Sequence, residues 1–293
     1  MKLIKPSFEI LDQQYGLKGV YKQIEVAGRT CYKSEDKIPE DSAKEFVDRM
    51  IKSGHGAMLE HGTVYLAMPI EAILCKYTKN PYSKGFKVCN VNGQKRVAIT
   101  TNLRVLVENG WLDDLQYICE PTEYHEKRIT VKFIADQGIL REFTRHRVFS
   151  FAVESTRYCN YSKNRFSHEI TFIQPNWISD KDIENYHMDF GYFTDQDTNH
   201  ITAVNRFISA LKNAEYFYME LIKLGWKPQQ ARNILPLATK CDMVMTGFVS
   251  DWEHFFRVRS RIAETGKPHP QAQELADPLM DEFVKRGIME TLL

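Results

Sequence analysis

Residues 144–162 read TRHRVFSFAVESTRYCNYS, and the interpretation of the whole chain depends on this stretch. Several side chains suited to binding an anion lie close together in it, without a run of acidic partners: Arg145, His146, Arg147, Ser155 and Arg157. Charge-assisted hydrogen bonds from several guanidinium groups to one anion are about twice as strong as neutral ones. The stretch therefore indicates a phosphate-binding site.

Regular secondary structure is predicted on both sides of this stretch. Before it, RITVKFIADQ at 128–137 indicates a strand. The strand leads into a predicted helix over 139–150, in which Arg141 and Arg145 would share a face. After it, apolar residues at three- and four-residue steps predict a long helix over 201–225.

The same patterns predict further elements. The remaining strands are expected over 61–70 and 239–249, and shorter helices over 42–54, 227–236 and 250–261. Two of these helices begin with capping-box spacing, supplied by Ser42 with Glu45 and by Ser250 with Glu253. Because helices and strands mix without βαβ regularity, the sequence predicts an α+β fold. We expect a mixed central sheet of a few strands flanked by helices, some of them long.

The chain is predicted to form a single domain over residues 1–293. No repeat, low-complexity tract or Pro/Gly/Ser-rich linker divides it, and its length is enough for one large domain with a substantial core. The polar stretch over about 78–126 separates two predicted strands. We interpret it as an insertion that is helical at TNLRVLVENG, residues 101–110.

Charge and composition narrow the class of protein. The 39 basic and 38 acidic side chains give a net charge of +1, without the general basicity typical of nucleic-acid-binding domains. No signal peptide or long apolar window is evident, so we expect a cytoplasmic protein. The six cysteines are scattered without a CxxC pair, which indicates reduced structural thiols and no metal site.

Several enzyme classes lack their usual signatures here. The chain has no GxGxxG, GxxxxGK[ST], HExxH or GxSxG motif. This disfavours dinucleotide-fold dehydrogenases, P-loop enzymes, zinc proteases and α/β-hydrolases. Arginines concentrate instead in three short neighbourhoods, and their convergence on one anion is the chemistry that the sequence favours.

The opening stretch resembles a known family. Arg145-His146-Arg147, seven further residues and Ser155 are similar to the RHR-x7-S signature of the flavin-dependent thymidylate synthases. Further segments resemble other parts of that family in the same order: HGAMLEHGTVYLAM (55–68), ARNILPLATK (231–240), DWEHFFRVR (251–259) and HPQAQELA (269–276). The resemblance covers about residues 20–68 and 129–276.

The resemblance implies the fold, the reaction and the assembly of that family. The reaction would be reductive methylation of dUMP to dTMP, using FAD and no protein nucleophile. The carbon would come from 5,10-methylenetetrahydrofolate, and NADPH would supply the hydride through the flavin. The assembly would be a homotetramer with FAD and dUMP bound where subunits meet, and with no nucleic-acid or membrane partner.

The resemblance also assigns roles to particular residues. The flavin contacts would be His61, Thr63, Arg145, His146, Arg147 and His254. The nucleotide contacts would be Glu142, Arg145, Glu154, Ser155, Thr156, Arg157, Arg232 and Arg259. Arg259 would be catalytic, because a permanently charged guanidinium can stabilise negative charge on the uracil ring. A nucleophilic Ser155 is the alternative, but no His-Asp relay is evident, so phosphate binding is favoured.

The chain departs from the family pattern at several positions. Ala152 and Val153 replace an Asn-Glu pair ahead of the signature serine, and Glu142 replaces a glutamine. An Asn-x-Arg flavin contact of the family falls on Phe248 and Ser250. These departures concern the details of flavin contact.

A rival interpretation belongs to another class of protein. In a single-stranded nucleic-acid-binding protein, the interleaved aromatic and basic residues of RYCNYSKNRF (157–166) would stack on bases. The near-neutral net charge and the spacing of the signature disfavour this interpretation.

Overall fold

The computed structural model describes residues 1–34, 39, 41–72, 76–91, 93–186 and 202–292. Residue 201 of the predicted long helix, residue 92 of the predicted insertion and Cys75 lie outside these ranges. The predicted α+β class is confirmed, since helices and strands alternate irregularly along the chain. The described strands form three sheets of two, four and three strands, in addition to isolated bridges.

The elements have the following bounds. The strands are Lys2–Ile4 (β1), Ser7–Leu11 (β2), Thr63–Pro69 (β3), Lys84–Val91 (β4), Gln94–Asn102 (β5), Arg128–Asp136 (β6), Ser150–Val153 (β7), Thr171–Ile173 (β8) and Lys240–Phe248 (β9). The helices are Gly16–Tyr32 (α1), Ala43–Lys52 (α2), Gly56–Leu59 (α3), Leu103–Glu108 (α4), Gln137–Phe143 (α5), Asp180–Glu184 (α6), Ala203–Lys223 (α7), Pro228–Ala231 (α8), Val249–Arg259 (α9) and Pro270–Lys285 (α10). Short 3-10 turns include Leu112–Tyr117 and Arg232–Ile234.

The chain packs as two compact units, of which the first comprises Met1–Ser7, Ile134–Arg141 and Ser155–Cys241. Its core lies against α7, the long helix that the apolar periodicity predicts. Tyr218 of α7 meets Tyr161 edge to face, with ring centroids 5.6 Å apart. Strand β1 pairs in parallel with β8 beside this core.

The second unit comprises Phe8–Phe133, Glu142–Glu154 and Asp242–Leu293. It contains most residues of the four-stranded sheet, ordered β2-β6-β9-β7, in which β7 runs antiparallel to β9. Buried aromatic rings hold α9 in this unit: Phe133, Phe143, Trp252, Phe255, Phe256 and Phe283. Aromatic rings bury large apolar areas, so this cluster determines which face of α9 is buried. The candidate site is formed by another face of the helix.

The stretch interpreted as an insertion contains two strands that the sequence did not indicate. Strands β4 and β5 form a hairpin, and β5 pairs antiparallel with β3 to complete the three-stranded sheet. The predicted helix at 101–110 is confirmed as α4, whose first turn is capped by the Asn102 side chain. That residues 1–293 form a single domain, with this stretch as an insertion in it, stays a prediction.

Three local predictions are wrong for identifiable reasons. The helix predicted over 139–150 ends at Phe143, and Val148 has φ 80°, a left-handed conformation that a β-branched residue does not adopt within a helix. Ser42 does not cap its own helix: its backbone is helical, with φ −77° and ψ −15°, whereas a capping residue is extended, and its hydroxyl donates to Glu25 at 2.8 Å. At the start of α9 the Asp251 carboxylate, rather than the predicted Ser250 pair, accepts from the Phe248 N–H at 3.0 Å.

Candidate active site

Arg145, His146 and Arg147 of the signature lie in a turn between α5 and β7, which is called the signature turn below. The backbone N–H groups of Arg145 and His146 donate to the carbonyls of Glu142 and Phe143, at 3.2 and 3.0 Å. This geometry leaves the side chains of Arg145 and Arg147 exposed and buries His146 between them in the sequence. Within the described ranges, neither arginine forms an ion pair with an acidic side chain. The turn therefore presents two guanidinium groups that are available to an anionic ligand.

Arg259 at the end of α9 reaches the residues of this turn. Its Nε atom donates to Nε2 of His146 at 3.0 Å. One terminal nitrogen pairs with the Glu142 carboxylate, and the other donates to the Glu142 carbonyl at 3.1 Å. Only 14% of the Arg259 side chain is exposed. Glu142, His146 and Arg259 thus form one compact network that the turn and α9 hold together.

The charge state of this network follows from its contacts. Burial, with smaller electrostatic effects from the neighbouring Arg259 and His254, lowers the pKa of His146 to about 4. The ring is therefore neutral near pH 7. Because a guanidinium cannot accept a hydrogen bond, Nε2 of His146 must accept, which places the ring proton on Nδ1. Glu142 then supplies the negative charge that balances Arg259.

His254 lies one helical turn before the end of α9 and is exposed. Its ring lies 6.0 Å from the His146 ring, measured between centroids. Phe255, the next residue, is fully buried, and its ring lies 5.0 Å from that of Phe143 and 5.1 Å from that of His146, measured between centroids. That both histidines border the same ligand stays a prediction.

His61 and Thr63 lie at the entry to β3 and are buried. The His61 ring is wholly inaccessible, and its Nδ1 atom lies 2.8 Å from the Thr246 hydroxyl. Burial, and then the charge of Arg128, lowers the pKa of His61 to about 3. Nε2 of His61 has no hydrogen-bond partner in the described part of the chain. The Thr63 N–H donates to the Gln13 side chain at 2.8 Å.

The first unit holds most of the residues predicted to bind phosphate. Thr156 lies in the turn after Ser155, and its hydroxyl accepts a hydrogen bond from Arg232 at 3.2 Å. Arg157 is exposed and donates from Nε to the Gln229 side chain at 3.2 Å. Helix α8 and its 3-10 continuation thus bring Arg232 to the turn that carries Thr156. Gln229 was not predicted from the sequence, since no spacing pattern marks it.

Glu154 occupies a different environment from its neighbours in sequence. Its carboxylate is buried, accepts from the Asp242 N–H at 3.1 Å and lies 3.7 Å from the Lys33 ammonium. Lys33 and Lys132 both pair with Asp242, whose side chain is only 2% exposed. Two lysines therefore compensate two buried carboxylates at this end of β7 and β9. No motif indicated this cluster, because its members are distant in sequence.

Arg128 is a further buried cation that the sequence did not indicate. Its guanidinium donates to the Glu60 carbonyl at 2.9 Å and to the Ser150 hydroxyl at 3.2 Å. It also lies 5.5 Å above the Phe248 ring. Burial lowers the pKa of Arg128 to about 10, so the side chain stays charged near neutral pH.

Two other kinds of feature are absent from the described residues. No group of three or more histidine, cysteine or acidic side chains there is arranged to hold a metal ion. No described helix combines the length and the apolar character needed to cross a membrane.

Comparison with known proteins assigns the chain to a family. The family model described as thymidylate synthase complementing protein matches residues 121–286, which is more than half of the chain. The chain belongs to this family. The match includes the signature turn and α9, and it confirms the family resemblance on which the sequence-based residue roles depend.

Two curated relatives of the chain are named flavin-dependent thymidylate synthase. One comes from Haloarcula marismortui and the other from Halobacterium salinarum, and each is 26% identical over 129 residues. The aligned residues are 43% of this chain and 51% of each relative. The chain thus spans about half the length of the curated relatives it matches.

Solved structures that are similar to the chain include the UMP/dUMP methylase PolB from Streptomyces cacaoi. The structure bound with 5-Br dUMP has a TM-score of 0.44 and 16% identity, covering 97% of this chain and 93% of that chain. The structure bound with 5-Br UMP has a TM-score of 0.45 and 16% identity, covering 97% and 92%. Similarity at this level carries no argument about function.

Proposed function

We propose that the chain is a flavin-dependent thymidylate synthase that converts dUMP to dTMP. The carbon donor is 5,10-methylenetetrahydrofolate, and NADPH supplies the hydride through FAD. The observation that carries the proposal is the arrangement of Arg145, Arg147 and Arg259 around a neutral, buried His146. Membership of the family and the names of the two curated relatives support the same reaction.

The residues of the second unit fit an FAD molecule. The guanidinium groups of Arg145 and Arg147 are exposed and carry two positive charges that match an anionic diphosphate. The orphan Nε2 atom of His61 is a buried polar atom that lacks a partner among the described residues, which a flavin would supply after local rearrangement. Thr63 and His254 complete the proposed flavin contacts. FAD would supply the hydride-transfer chemistry that no side chain provides.

The nucleotide contacts are proposed separately for each unit. In the first unit, Arg157, Arg232 and the hydroxyls of Ser155 and Thr156 would bind the phosphate of dUMP, because guanidinium and hydroxyl donors suit phosphate oxygens. In the second, Arg259 would donate to the pyrimidine ring and stabilise the negative charge that develops there. Glu142 would hold Arg259, and Glu154 is proposed among the nucleotide contacts.

The side chains offer little support for a protein nucleophile. Burial raises the pKa of the Cys31 thiol, and it raises that of Cys119 to about 11. Both thiols are therefore protonated near neutral pH and are weak nucleophiles. Among the described hydrogen bonds, none joins the Ser155 hydroxyl to a histidine. This supports the proposal that Ser155 binds phosphate.

The nucleic-acid interpretation loses support from the packing of its aromatic residues. Tyr161 is buried, with 6% exposure, and its ring meets Phe166 edge to face at 5.1 Å. Both residues contribute to the core beside α7. Of the aromatic residues in this stretch, Tyr158 is the exposed one, so the stretch does not offer a series of stacking platforms.

Visible absorption spectroscopy tests the proposed cofactor and substrate together. The purified chain is incubated with FAD, desalted and then titrated with dUMP, with dCMP as a matched control nucleotide. We expect flavin to remain bound and its visible bands to shift on addition of dUMP. A protein that retains no flavin at any FAD concentration would refute the proposed function.

A further inference from the structure

Three hydroxyl side chains of the second unit form a buried row across its four-stranded sheet. Thr130 lies on β6, Thr246 on β9 and Ser150 on β7, and these strands are neighbours in the sheet. Ser150 is the register partner of Thr246, and the Thr130 hydroxyl lies 2.9 Å from that of Thr246. At most 4% of each residue is exposed. Buried hydroxyls in native proteins have hydrogen-bond partners, so other side chains must complete this row.

Two buried side chains bond to the row. Arg128 donates to the Ser150 hydroxyl at 3.2 Å, and Nδ1 of His61 lies 2.8 Å from the Thr246 hydroxyl. Within the described ranges, the contact with His61 and the contact between the threonines are the only hydrogen bonds of the Thr130 and Thr246 hydroxyls. Thr130 and Thr246 are called the threonine pair below. The pair therefore ends at one ring nitrogen of His61.

The proton on the His61 ring has two possible positions. The pKa of this ring is lowered to about 3, so the imidazole is neutral near pH 7 and carries one ring proton. Which nitrogen carries the proton is set by the hydrogen bond that the other nitrogen makes. Each threonine hydroxyl has a single proton to donate. The three groups can therefore point their protons toward His61 or away from it.

The two directions differ in the donors that they leave unpaired. Toward His61, Thr130 donates to Thr246, Thr246 donates to Nδ1, and the ring proton lies on Nε2. Away from His61, Nδ1 donates to Thr246 and Thr246 donates to Thr130, whose own proton then has no acceptor among the described residues. An acceptor that reaches Nε2 pairs every donor in the first direction, but the Thr130 proton stays unpaired in the second. Because an unpaired buried donor is destabilising, the first direction is favoured.

We propose that Thr246, supported by Thr130, is a positioning residue that holds His61 with its proton on Nε2. His61 then acts as a hydrogen-bond donor, and the ligand atom that it meets must be an acceptor. The inference rests on the proposed function for the identity of this ligand, since His61 is proposed to contact FAD. Carbonyl oxygens and unprotonated ring nitrogens, both present on an oxidised flavin ring, have the required chemistry.

Nuclear magnetic resonance of the histidine rings tests the position of the proton without any flavin. The full chain is labelled with ¹⁵N, and the signals of His61 are those absent from the His61→Gln variant. We expect the proton on Nε2 and a bare, hydrogen-bonded Nδ1 in the unaltered chain. Thr246→Val removes the donor to Nδ1 and should give a mixture of the two tautomers. Thr246→Ser keeps a hydroxyl and should restore the Nε2 proton.

The affinity for FAD tests whether this positioning serves the ligand. Thr246→Val should raise the dissociation constant about fivefold, as expected for loss of one correctly directed hydrogen bond, and Thr246→Ser should recover most of the affinity. Thr101→Val is the matched control. It also removes a fully buried threonine hydroxyl with a 2.9 Å contact, here to Ser83, but it should change neither the tautomer nor the affinity. Circular dichroism verifies that each variant is folded.

The outcomes separate this inference from the proposed function. A His61 proton on Nδ1 in the unaltered chain would overturn the inference, and so would a tautomer that Thr246→Val leaves unchanged. An unchanged FAD affinity in a folded Thr246→Val variant would overturn the positioning role. A chain that binds no FAD would refute the proposed function, whereas its His61 signals would still decide whether Thr246 directs the ring proton.

Discussion

Nε of Arg259 donates to Nε2 of His146 across 3.0 Å, so one side chain of α9 is bonded directly to the centre of the signature turn. The contact requires a neutral His146, and the lowered pKa of about 4 provides one. It also orients the guanidinium, whose terminal nitrogens then meet Glu142. A residue proposed for catalysis and a residue proposed for flavin binding are thus held together by direct contacts within the chain.

Arg259→Ala should abolish most turnover while leaving flavin bound. The guanidinium is proposed to stabilise charge in the transition state, and loss of one such donor typically lowers kcat by about 100-fold or more. Steady-state dTMP formation measures the loss, and the visible spectrum measures the flavin. Arg257→Ala is the matched control on the same helix, since Arg257 pairs with Glu264 at the surface. Full turnover in the Arg259 variant would refute its assignment.

Arg147→Ala should weaken FAD binding. The exposed Arg147 side chain is proposed to pair with the flavin diphosphate, and a hydrogen bond to a charged group contributes about 1.5–3 kcal/mol. The dissociation constant for FAD should therefore rise roughly tenfold or more. Equilibrium dialysis with FAD measures it. Arg141→Ala, at an exposed arginine of α5, should bind FAD as the unaltered chain does.

Arg232→Ala should raise the KM for dUMP roughly tenfold or more, because a charged donor to the phosphate is lost. At saturating dUMP, kcat should change little, since the phosphate does not react. Thr156→Val, which removes the hydroxyl bonded to Arg232, should have a smaller effect in the same direction. An unchanged KM for dUMP in the Arg232 variant would contradict the proposal that residues of the first unit bind the dUMP phosphate.

The stability of the chain should fall below neutral pH, in part because of His61. The pKa of this buried ring is lowered from 6.5 to about 3, so below pH 6.5 the unfolded state binds a proton that the folded state does not. Each such proton costs roughly 1.4 kcal/mol per pH unit, and the loss continues until the pH reaches about 3. His61→Gln should reduce the pH dependence of the free energy of unfolding between pH 6 and pH 4.5. Urea unfolding measures this slope, and an unaltered slope would show that His61 does not contribute.

Local patterns in the sequence predicted much of the fold but not its long-range contacts. Helix α7 and strand β9 lie close to their predicted bounds, because apolar spacing directly reflects burial on one or both faces. The prediction of a helix through the signature is wrong at Val148, because the left-handed φ of this residue depends on the surrounding packing. Strands β4 and β5 were not predicted, because their many charged and polar residues obscure the alternation of apolar and polar side chains that is typical of a strand.

The candidate site could be predicted only where the resemblance supplied its residues. The motif spacing located the signature turn and Arg259, but it could not show that Glu142 neutralises Arg259. The cluster of Lys33 and Asp242 around Glu154 joins residues from three distant parts of the chain. Such a cluster leaves no local pattern, so only the folded structure reveals it.

Direct measurement of dTMP formation tests the central claim most directly. The flavin-loaded chain is incubated with dUMP, 5,10-methylenetetrahydrofolate and NADPH, and the nucleotides are separated by chromatography. The account predicts dTMP that depends on FAD and on the folate, and that is lost in the Arg259→Ala variant. The contrary result is a protein that binds flavin and dUMP but forms no dTMP, either with NADPH or with chemically reduced flavin.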